Sequence, residues 1–524
     1  MKKNITLVIF NEQNDITWEL GKKFSIEYTT KSLLACRDEI LSVKADYIMF
    51  WDAKFPVPST DELFCLDTSK GNLFHIGPAL GIHNNPTLLD SIQPTSMLHI
   101  VANLEQDYSS WKNTFRGCLL EISVFKSIPL LDYSDSLDII GLDFGYKAMK
   151  SGVITRFSTE LSKNIVKEKD FILEKRNSLF FIRNNFDTKA FVWTYCMNFL
   201  SISPLRFFKA LKTKKSNFRD VYRQPINKKS IEGKDTSVSI VIATLDRYSY
   251  LKSELEELRR LSLPANEIII IDQTPKANRS QEFLNSFKEL PIVYIETDKI
   301  GQCSSRNLGI KNATSKFIWF LDDDMEEIPA GYLSDHLETI YSLNADVSCG
   351  IPDEIGTTYI NRSIPKITLS NGFPTNDVVV KKSLLDAVDG FDEKMDRLQS
   401  EDQEIGLRLI KKGALSVKNN QLRIVHLRAG SGGLRNHNVR KITFSSSRES
   451  LWQQRILNQS EIYLCYKHFS KKQVFSKLLL NVRGTFIVRG NYIKQLLKVL
   501  ISFIKLPQTV LIIELRRRKA KKMF

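Results

Sequence analysis

An apolar, aromatic run ends in a burst of acid at Phe317-Ile-Trp-Phe-Leu-Asp-Asp-Asp-Met-Glu-Glu-Ile-Pro329. The run does not alternate, so it reads as a strand buried on both faces. Asp322, Asp323 and Asp324 then stand where that strand leaves its sheet, and ligands of open α/β sheets gather at the carboxyl ends of strands. Crowded carboxylates repel one another unless a cation neutralises them. Hard divalent ions take oxygen ligands and share them with substrate phosphates. The stretch therefore suits a metal–diphosphate site; an acidic cap on a core strand is the plain alternative. Asp246 follows the β-branched run 237–244, and Asp272 ends the run Glu267-Ile-Ile-Ile-Ile271. Both fall just past a strand's carboxyl end, so all these acids should converge on one edge.

The elements that position them alternate. Strands at 237–244, 267–271, 291–296 and 316–321 are separated by helical stretches, one running on to Leu261 and one at 304–312. That order predicts a parallel, doubly wound sheet. Upstream, residues 1 to about 215 form a first unit, with strands at 5–10 and 46–51, helices at 31–43 and within 137–152, and an aromatic helical stretch at 171–198. Residues 212–235, with Lys212, Lys214, Lys215, Arg219, Arg223, Lys228 and Lys229, read as a linker with little to bury.

A chain of 524 residues calls for two or more cores. The formal charge of +16 implies an anionic partner: a membrane surface, nucleic acid or a phosphorylated substrate. Seven scattered cysteines without a CxxC pair argue against a disulfide framework or zinc site and fit a reducing cytosol. The basic and then apolar start, 1–10, reads as a first strand and not a signal peptide, and no apolar stretch is long enough to span a bilayer.

The two units repeat one another. Residues 45–58 parallel 315–329, 115–126 parallel 373–384, 141–152 parallel 402–413, and 177–186 parallel 458–469. In this register Lys54 stands opposite Asp324 and Gly141 opposite Asp402. A lysine does not ligate a divalent cation at neutral pH and glycine has no base, so the first copy keeps an architecture without the chemistry. It also leaves little room for the first strands of the second copy.

Over residues 237–430 the second unit resembles the family-2 glycosyltransferases with a GT-A fold. The resemblance rests on an ordered set: Ser239-Ile-Val-Ile-Ala-Thr-Leu-Asp-Arg247, Ile270-Ile-Asp-Gln-Thr-Pro275, Gly301-Gln-Cys-Ser-Ser-Arg-Asn-Leu-Gly309, the DxD motif Leu321-Asp-Asp-Asp324, Asp389-Gly-Phe-Asp-Glu393 and Ser400-Glu-Asp-Gln-Glu-Ile-Gly-Leu-Arg408. Ala243, Asp246 and Gln273 depart from the usual Pro, Asn and Asp. The resemblance implies an α/β chain with a GT-A sheet at 237–470; the repeat adds a shortened related domain at 1–215, and composition adds a linker at 216–236 and a basic helical segment at 471–524. The resemblance implies a nucleotide-sugar site at Thr244, Asp246, Arg247, Asp272, Arg306, Asp322 and Asp323. It places Asp324 on a divalent metal, Mg²⁺ or Mn²⁺, with His426 completing the shell or simply structural. Asp402 is implied as general base for an inverting displacement, with Glu401 and Asp377 on the acceptor side. Glu401-Asp402 also suit a helix N-terminus, where acids are favoured. Arg306 contacts the diphosphate or pairs with an acid. Arg428, Ser431, Gly432 and Gly433, followed by Leu434 and Arg435, form a basic loop whose glycines let backbone approach a phosphate.

The last segment places Lys494, Lys498 and Lys505 among Leu, Ile and Phe, breaks at Pro507 and ends in Arg516-Arg-Arg-Lys-Ala-Lys-Lys522. This pattern predicts an interfacial amphipathic segment drawn to anionic lipid; a packing helix with a solvated tail is the alternative. The expected activity is transfer of a sugar to a glycan or lipid-linked acceptor in surface-polysaccharide synthesis, at the cytoplasmic face of the plasma membrane. A homo-oligomer is left open. A nucleotidyltransferase would carry a Gly-rich basic loop after the first strand, and Leu245-Asp-Arg-Tyr-Ser-Tyr250 is not one. A nucleic-acid binder would gather its charge on one face with interleaved aromatics, whereas here much of it lies in linker and tail, so no nucleic-acid partner is expected.

Overall fold

The apolar runs build two mixed sheets, one in each half of the chain. The computed structural model describes every residue except 1–3, 83–86, 96–99, 101–102, 131, 133, 135, 167–174, 214–221, 223, 225, 229, 355–364, 371, 430–431 and 434–449. Of the residues singled out above, Lys214, Lys215, Arg219, Arg223, Lys229, Ser431, Leu434 and Arg435 lie outside the described residues.

The first sheet holds β1 (Ile5–Phe10), β2 (Lys23–Ile26), β3 (Tyr47–Asp52), β4 (Leu73–His75), β5 (Tyr108–Ser109), β6 (Gly117–Glu121) and β7 (Thr155–Phe157), in the order β2-β1-β3-β6-β4-β7-β5. The second holds β8 (Val238–Thr244), β9 (Glu267–Asp272), β10 (Ile292–Glu296), β11 (Phe317–Asp322), β12 (Met325–Glu326), β13 (Val347–Glu354), β14 (Ile367–Leu369), β15 (Asp377–Lys381) and β16 (Ser416–His426). Its order is β10-β9-β8-β11-β15-β13-β16-β12, with β14 on β16. Strands β10, β9, β8 and β11 run parallel. Chain order reverses at β8, which lies between β9 and β11, so the carboxyl ends of β8 and β11 open the crevice such sheets use. Helices Tyr248–Arg259 and Tyr332–Ser342 cover one face through Leu251, Leu255, Leu333 and Leu337; helices Gln302–Asn312 and Glu401–Lys411 cover the other through Ile310, Ile405 and Leu409.

The repeat is structural. Order β2-β1-β3-β6-β4-β7 recurs as β9-β8-β11-β15-β13-β16, with the same strand sense at every pair. Two expectations need correction. The first copy does have its first strands, β1 and β2; its shortening lies in the connection 11–22, which carries no helix, and in the lack of a counterpart to β10 among the described residues. The third-strand alignment is also off by two: Tyr47 pairs with Glu121 as Phe317 pairs with Lys381, so Glu121 matches Lys381 and not Val379. A slip of two keeps every side chain on its face, so hydrophobic pattern does not reveal it.

Equivalent helices carry equivalent ion pairs. Asp143 and Lys147 on helix Leu137–Lys150 match Glu404 and Arg408 on helix Glu401–Lys411. Both acids are buried and are bonded by a later helix, Asp143 by Asn184 and Asn185 and Glu404 by His468. Gly152 and Gly413 close the two helices at φ 98° and 82°, the left-handed C-terminal position glycine fills without strain.

The units meet along the β14–β16 edge, where Ile154 packs with Leu343, Ile367 and Leu415. Arg156 donates to the Gly413 carbonyl at 3.1 Å. The described part of the linker is tied down, contrary to its polar reading: Gln224 is buried and donates to the Gly152 carbonyl at 2.9 Å, and the Tyr222 hydroxyl donates to Glu121 at 2.6 Å.

Three helices end the chain: Lys471–Thr485, Tyr492–Ile504 and Leu506–Lys521. The last two bend by 62° where Pro507 opens the final helix. No single helix among the described residues is long and apolar enough to cross a membrane; this bent pair reaches the length and composition only together. The basic face predicted for the lysines is turned inward at Lys498, whose ammonium is buried and donates to the carbonyls of Ser450, Leu451 and Gln453. The outward face is apolar: Ile493, Leu496, Leu497, Leu500, Phe503 and Ile504 are all exposed. Arg516 donates to the carbonyls of Ile456 and Leu457 at 2.8 Å, and Ala520 enters the second unit's core.

Candidate active site

The carboxyl ends of β8 and β11 open into a cavity of about 290 Å³. Asp322, Asp323 and Asp324 line one wall and Glu401 and Asp402 another. The two acidic groups, far apart in the chain, therefore share one cavity. Strand β11 delivers the first group because its aromatic side chains are locked in the core. The second sits in the first turn of helix Glu401–Lys411, whose entry residue Ser400 is left-handed at φ 75°. Asp246 and Arg428 are left-handed too, at φ 54° and 53°. Such non-glycine positions are uncommon and gather at functional loops.

Each aspartate has its own surroundings. Asp322 is the most open of the three; Arg306 Nη2 donates to its Oδ1 at 3.0 Å. Asp323 is buried, accepting from Thr244 Oγ1 and Arg247 Nη1, both at 2.8 Å. Burial pushes its carboxyl up to about 6 against the pull of Arg247. Asp324 lies 3.2 Å from His426 Nε2 and accepts from the Ala429 amide at 2.8 Å. Burial alone would raise it, yet His426, that amide and Arg247 hold it below the usual carboxylate range. His426 is aimed by the pairing of β16 with β12, which sets it opposite Met325. One ligand atom from each of Asp322, Asp324 and His426 lies within 4.8 Å of the others. Two carboxylate oxygens and one imidazole nitrogen suit Mg²⁺ or Mn²⁺.

Five of the expected site residues stand elsewhere or have other partners. Thr244 is buried beneath Asp323 and supports it, so it does not face the cavity. Asp272 is fully buried, its carboxylate taken by the hydroxyls of Tyr248 and Tyr294 and by the Thr274 amide, which leaves it holding the β8 and β9 loops together. Asp377 is 0% exposed and bonded to Trp319, Tyr332 and His336 in the core. The turn before it, Pro374 to Asn376, lines the cavity instead. Glu401, expected on the acceptor side, lines the cavity of the aspartates beside Arg306, 3.8 Å from its Nη1. Asp246 is half-buried, with its amide on Thr274 Oγ1 at 2.9 Å, and lies outside the cavity lining.

Several residues were missed. Gln273 lines the cavity and accepts from the Gly301 amide at 2.7 Å. Gln302 donates to the Leu398 carbonyl at 2.8 Å and fixes the loop before Asp402. Glu254 lies fully buried, its carboxyl raised well above the ordinary range by burial and by the three aspartates. The loop glycines approach protein and not open space: a Cβ at Gly432 would collide with the Asp246 carbonyl oxygen, and one at Gly433 would stand 2.6 Å from the Arg247 guanidinium. The Gly433 amide donates to the Leu245 carbonyl at 2.7 Å, closing this loop on β8.

The second unit is thus a mixed sheet whose parallel strands open at their switch point onto an acidic cluster. Residues 239–391 match the model of glycosyl transferase family 2. An uncharacterized glycosyltransferase of Rickettsia felis is 34% identical over 90 residues, 17% of this chain and 15% of that protein. Glycosyltransferase GlyA of Streptococcus pneumoniae is 24% identical over 118 residues, 22% of this chain and 17% of that protein. The uncharacterized glycosyltransferase YwdF of Bacillus subtilis is 36% identical over 88 residues, 17% of this chain and 32% of that protein. The chain thus spans less than a third of the length of each of these relatives. Among solved structures, S. aureus TarS in complex with UDP-GlcNAc is 16% identical, with 38% of this chain and 60% of that chain covered, at a TM-score of 0.31.

Proposed function

We propose that the second unit moves a sugar from a nucleotide-sugar donor to a hydroxyl of a glycan or lipid-linked acceptor, with inversion, in the building of a cell-surface polysaccharide. One observation carries this reading: Asp402 and the Asp322–Asp324 cluster line the same cavity. Direct displacement needs a base on one face of the anomeric carbon and a stabilised leaving group on the other. The acceptor oxygen forms its bond to that carbon as the carbon–oxygen bond to the diphosphate breaks. The acceptor proton passes to Asp402, and the bonding electrons leave with the nucleoside diphosphate. A positioned base contributes roughly two to four orders of magnitude.

Asp322, Asp324 and His426 would hold a divalent cation, which when bound supplies charge stabilisation to the diphosphate. Arg247 and Arg306 place two guanidinium groups on the cavity wall, the donor set that suits phosphate oxygens. Lys54 and Gly141 of the first copy occupy the positions of Asp324 and Asp402, so the first copy is read as non-catalytic.

The same proposal puts the chain at the cytoplasmic face of a membrane, and the exposed apolar side of helix Tyr492–Ile504 supports it as the contact. Its exposed Leu496, Leu497, Leu500 and Phe503 form one helical stripe, and Arg517, Arg518 and Lys519 follow within the next helix. Apolar insertion flanked by cations is how interfacial helices hold anionic lipid. Replacing Leu497 and Leu500 with Ser should release the protein from anionic vesicles in co-sedimentation; retention would refute this placement. The enzymatic reading is tested by a donor screen for nucleotide release with membrane lipid extract, with and without EDTA. Release from one donor that EDTA abolishes is expected, and no release from any donor would overturn it.

A further inference from the structure

Behind Asp402 lies a second cavity, larger than the first at about 610 Å³. Asp402 and Pro374 line both, so this carboxylate stands on the wall between them. The far side of the second cavity comes from the other copy: Met149 and Lys150, at the end of helix Leu137–Lys150. That helix is the counterpart of the one carrying Asp402. The remaining walls include Thr368 and Ser370, from β14 and its end, and Lys418 and Asn420 of β16. Packing of Ile154 against Ile367 and Val417 holds the first copy against this edge.

The lining chemistry is lopsided. Its charged lining residues are two lysines, Lys150 and Lys418, and a single acid, Asp402, alongside the polar Thr368, Ser370, Gln403 and Asn420. Lysine supplies a strong point charge for phosphate without demanding one orientation. We infer that the second cavity is the acceptor cleft, that the first copy serves as its outer wall, and that Lys150 and Lys418 select an acceptor carrying a phosphate group near the hydroxyl to be glycosylated. This rests on the reading of Asp402 as base, since a base must face its acceptor. It gives the first copy a task that needs no metal ligand and no base of its own.

The test uses the full chain and two phosphorylated probes, a farnesyl-diphosphate-linked N-acetylglucosamine and a soluble polyol phosphate, each beside its dephosphorylated counterpart. Binding is measured by calorimetry, and donor turnover by nucleotide release without acceptor. At least one phosphorylated probe should bind about tenfold or more tighter than its neutral partner. Lys150→Glu and Lys418→Glu should each erase most of that difference, Lys150→Arg should keep it, and acceptor-independent nucleotide release should stay unchanged in all three. Binding of the farnesyl probe alone assigns the phosphate to a lipid carrier; binding of both assigns it to the free group. Equal binding of charged and neutral probes, or a difference that survives Lys150→Glu, overturns the inference. Charge-dependent binding without nucleotide release from any donor would retain the cleft and remove the catalytic reading instead.

Discussion

Replacing Asp377 with Leu should unfold the second unit well before it alters any chemistry. The carboxylate is fully buried and accepts from Trp319 Nε1 at 3.2 Å and from the Tyr332 hydroxyl at 2.6 Å, with His336 Nε2 at 3.2 Å. His336 in turn reaches Ser348 Oγ at 2.9 Å, so the network bridges helix Tyr332–Ser342 and strands β11, β13 and β15. Gly350 makes room for it, since a Cβ there would collide with the carboxylate. Leucine keeps the branched shape but is larger than aspartate, and it leaves three buried groups without their acceptor. Each orphaned group costs about 1–3 kcal/mol, and breaking a buried charged network costs roughly 3–5 kcal/mol in all. Against a total of about 5–15 kcal/mol for a domain, that is a large fraction. With a urea slope of about 3 kcal/mol per molar, the midpoint should fall by about 1 M or more. The milder substitution Asp377→Asn keeps one acceptor oxygen and should cost less than half as much. The assay is urea denaturation followed by tryptophan fluorescence, run beside Asn376→Ala. Asn376 is the adjacent residue on the cavity side, and its loss should lower activity with little change in midpoint. The reasoning is refuted if Asp377→Leu keeps its midpoint and loses only activity.

Acid stability offers a second check. Burial alone would raise Glu404, but His468, Arg408 and Lys467 reverse this and bring it down to about 2 from an ordinary 4.5. A carboxylate depressed by folding stabilises fully above its unfolded value and loses that contribution as pH falls toward its folded one. Between pH 4.5 and 2 the wild type should therefore lose stability more steeply than Glu404→Gln, as read from thermal midpoints across that range. Parallel profiles would contradict it. Metal binding is checked without turnover: His426→Ala should weaken Mn²⁺ binding by about tenfold or more in titrations followed by electron paramagnetic resonance, as loss of one ligand of three implies. Unchanged binding would make His426 structural.

Much of the sheet was legible because its strands are uniformly apolar and end in acid. Phe317–Leu321 and Glu267–Ile271 announce buried parallel strands, and alternation with helices leaves few topologies. The same uniformity hides which way a strand-end side chain turns. Asp322 and Asp324 reach the cavity, whereas Asp272 and Asp377, equally acidic and equally near strand ends, turn into the core. Asn376 and Gln302 escaped notice because a neutral amide breaks no pattern of charge or hydrophobicity. Lys150 was invisible for another reason: its importance lies in the docking of one copy on the other, and no local rule reads across that interface.

The most direct test concerns Asp402, which stands where the two cavities meet. Single-turnover sugar transfer by Asp402→Asn, with nucleotide binding measured alongside, isolates its role. The account predicts a loss of roughly 10²–10⁴ in the transfer step with nucleotide affinity within about twofold of wild type. Transfer within about tenfold of wild type, or a loss that follows nucleotide affinity alone, would contradict it.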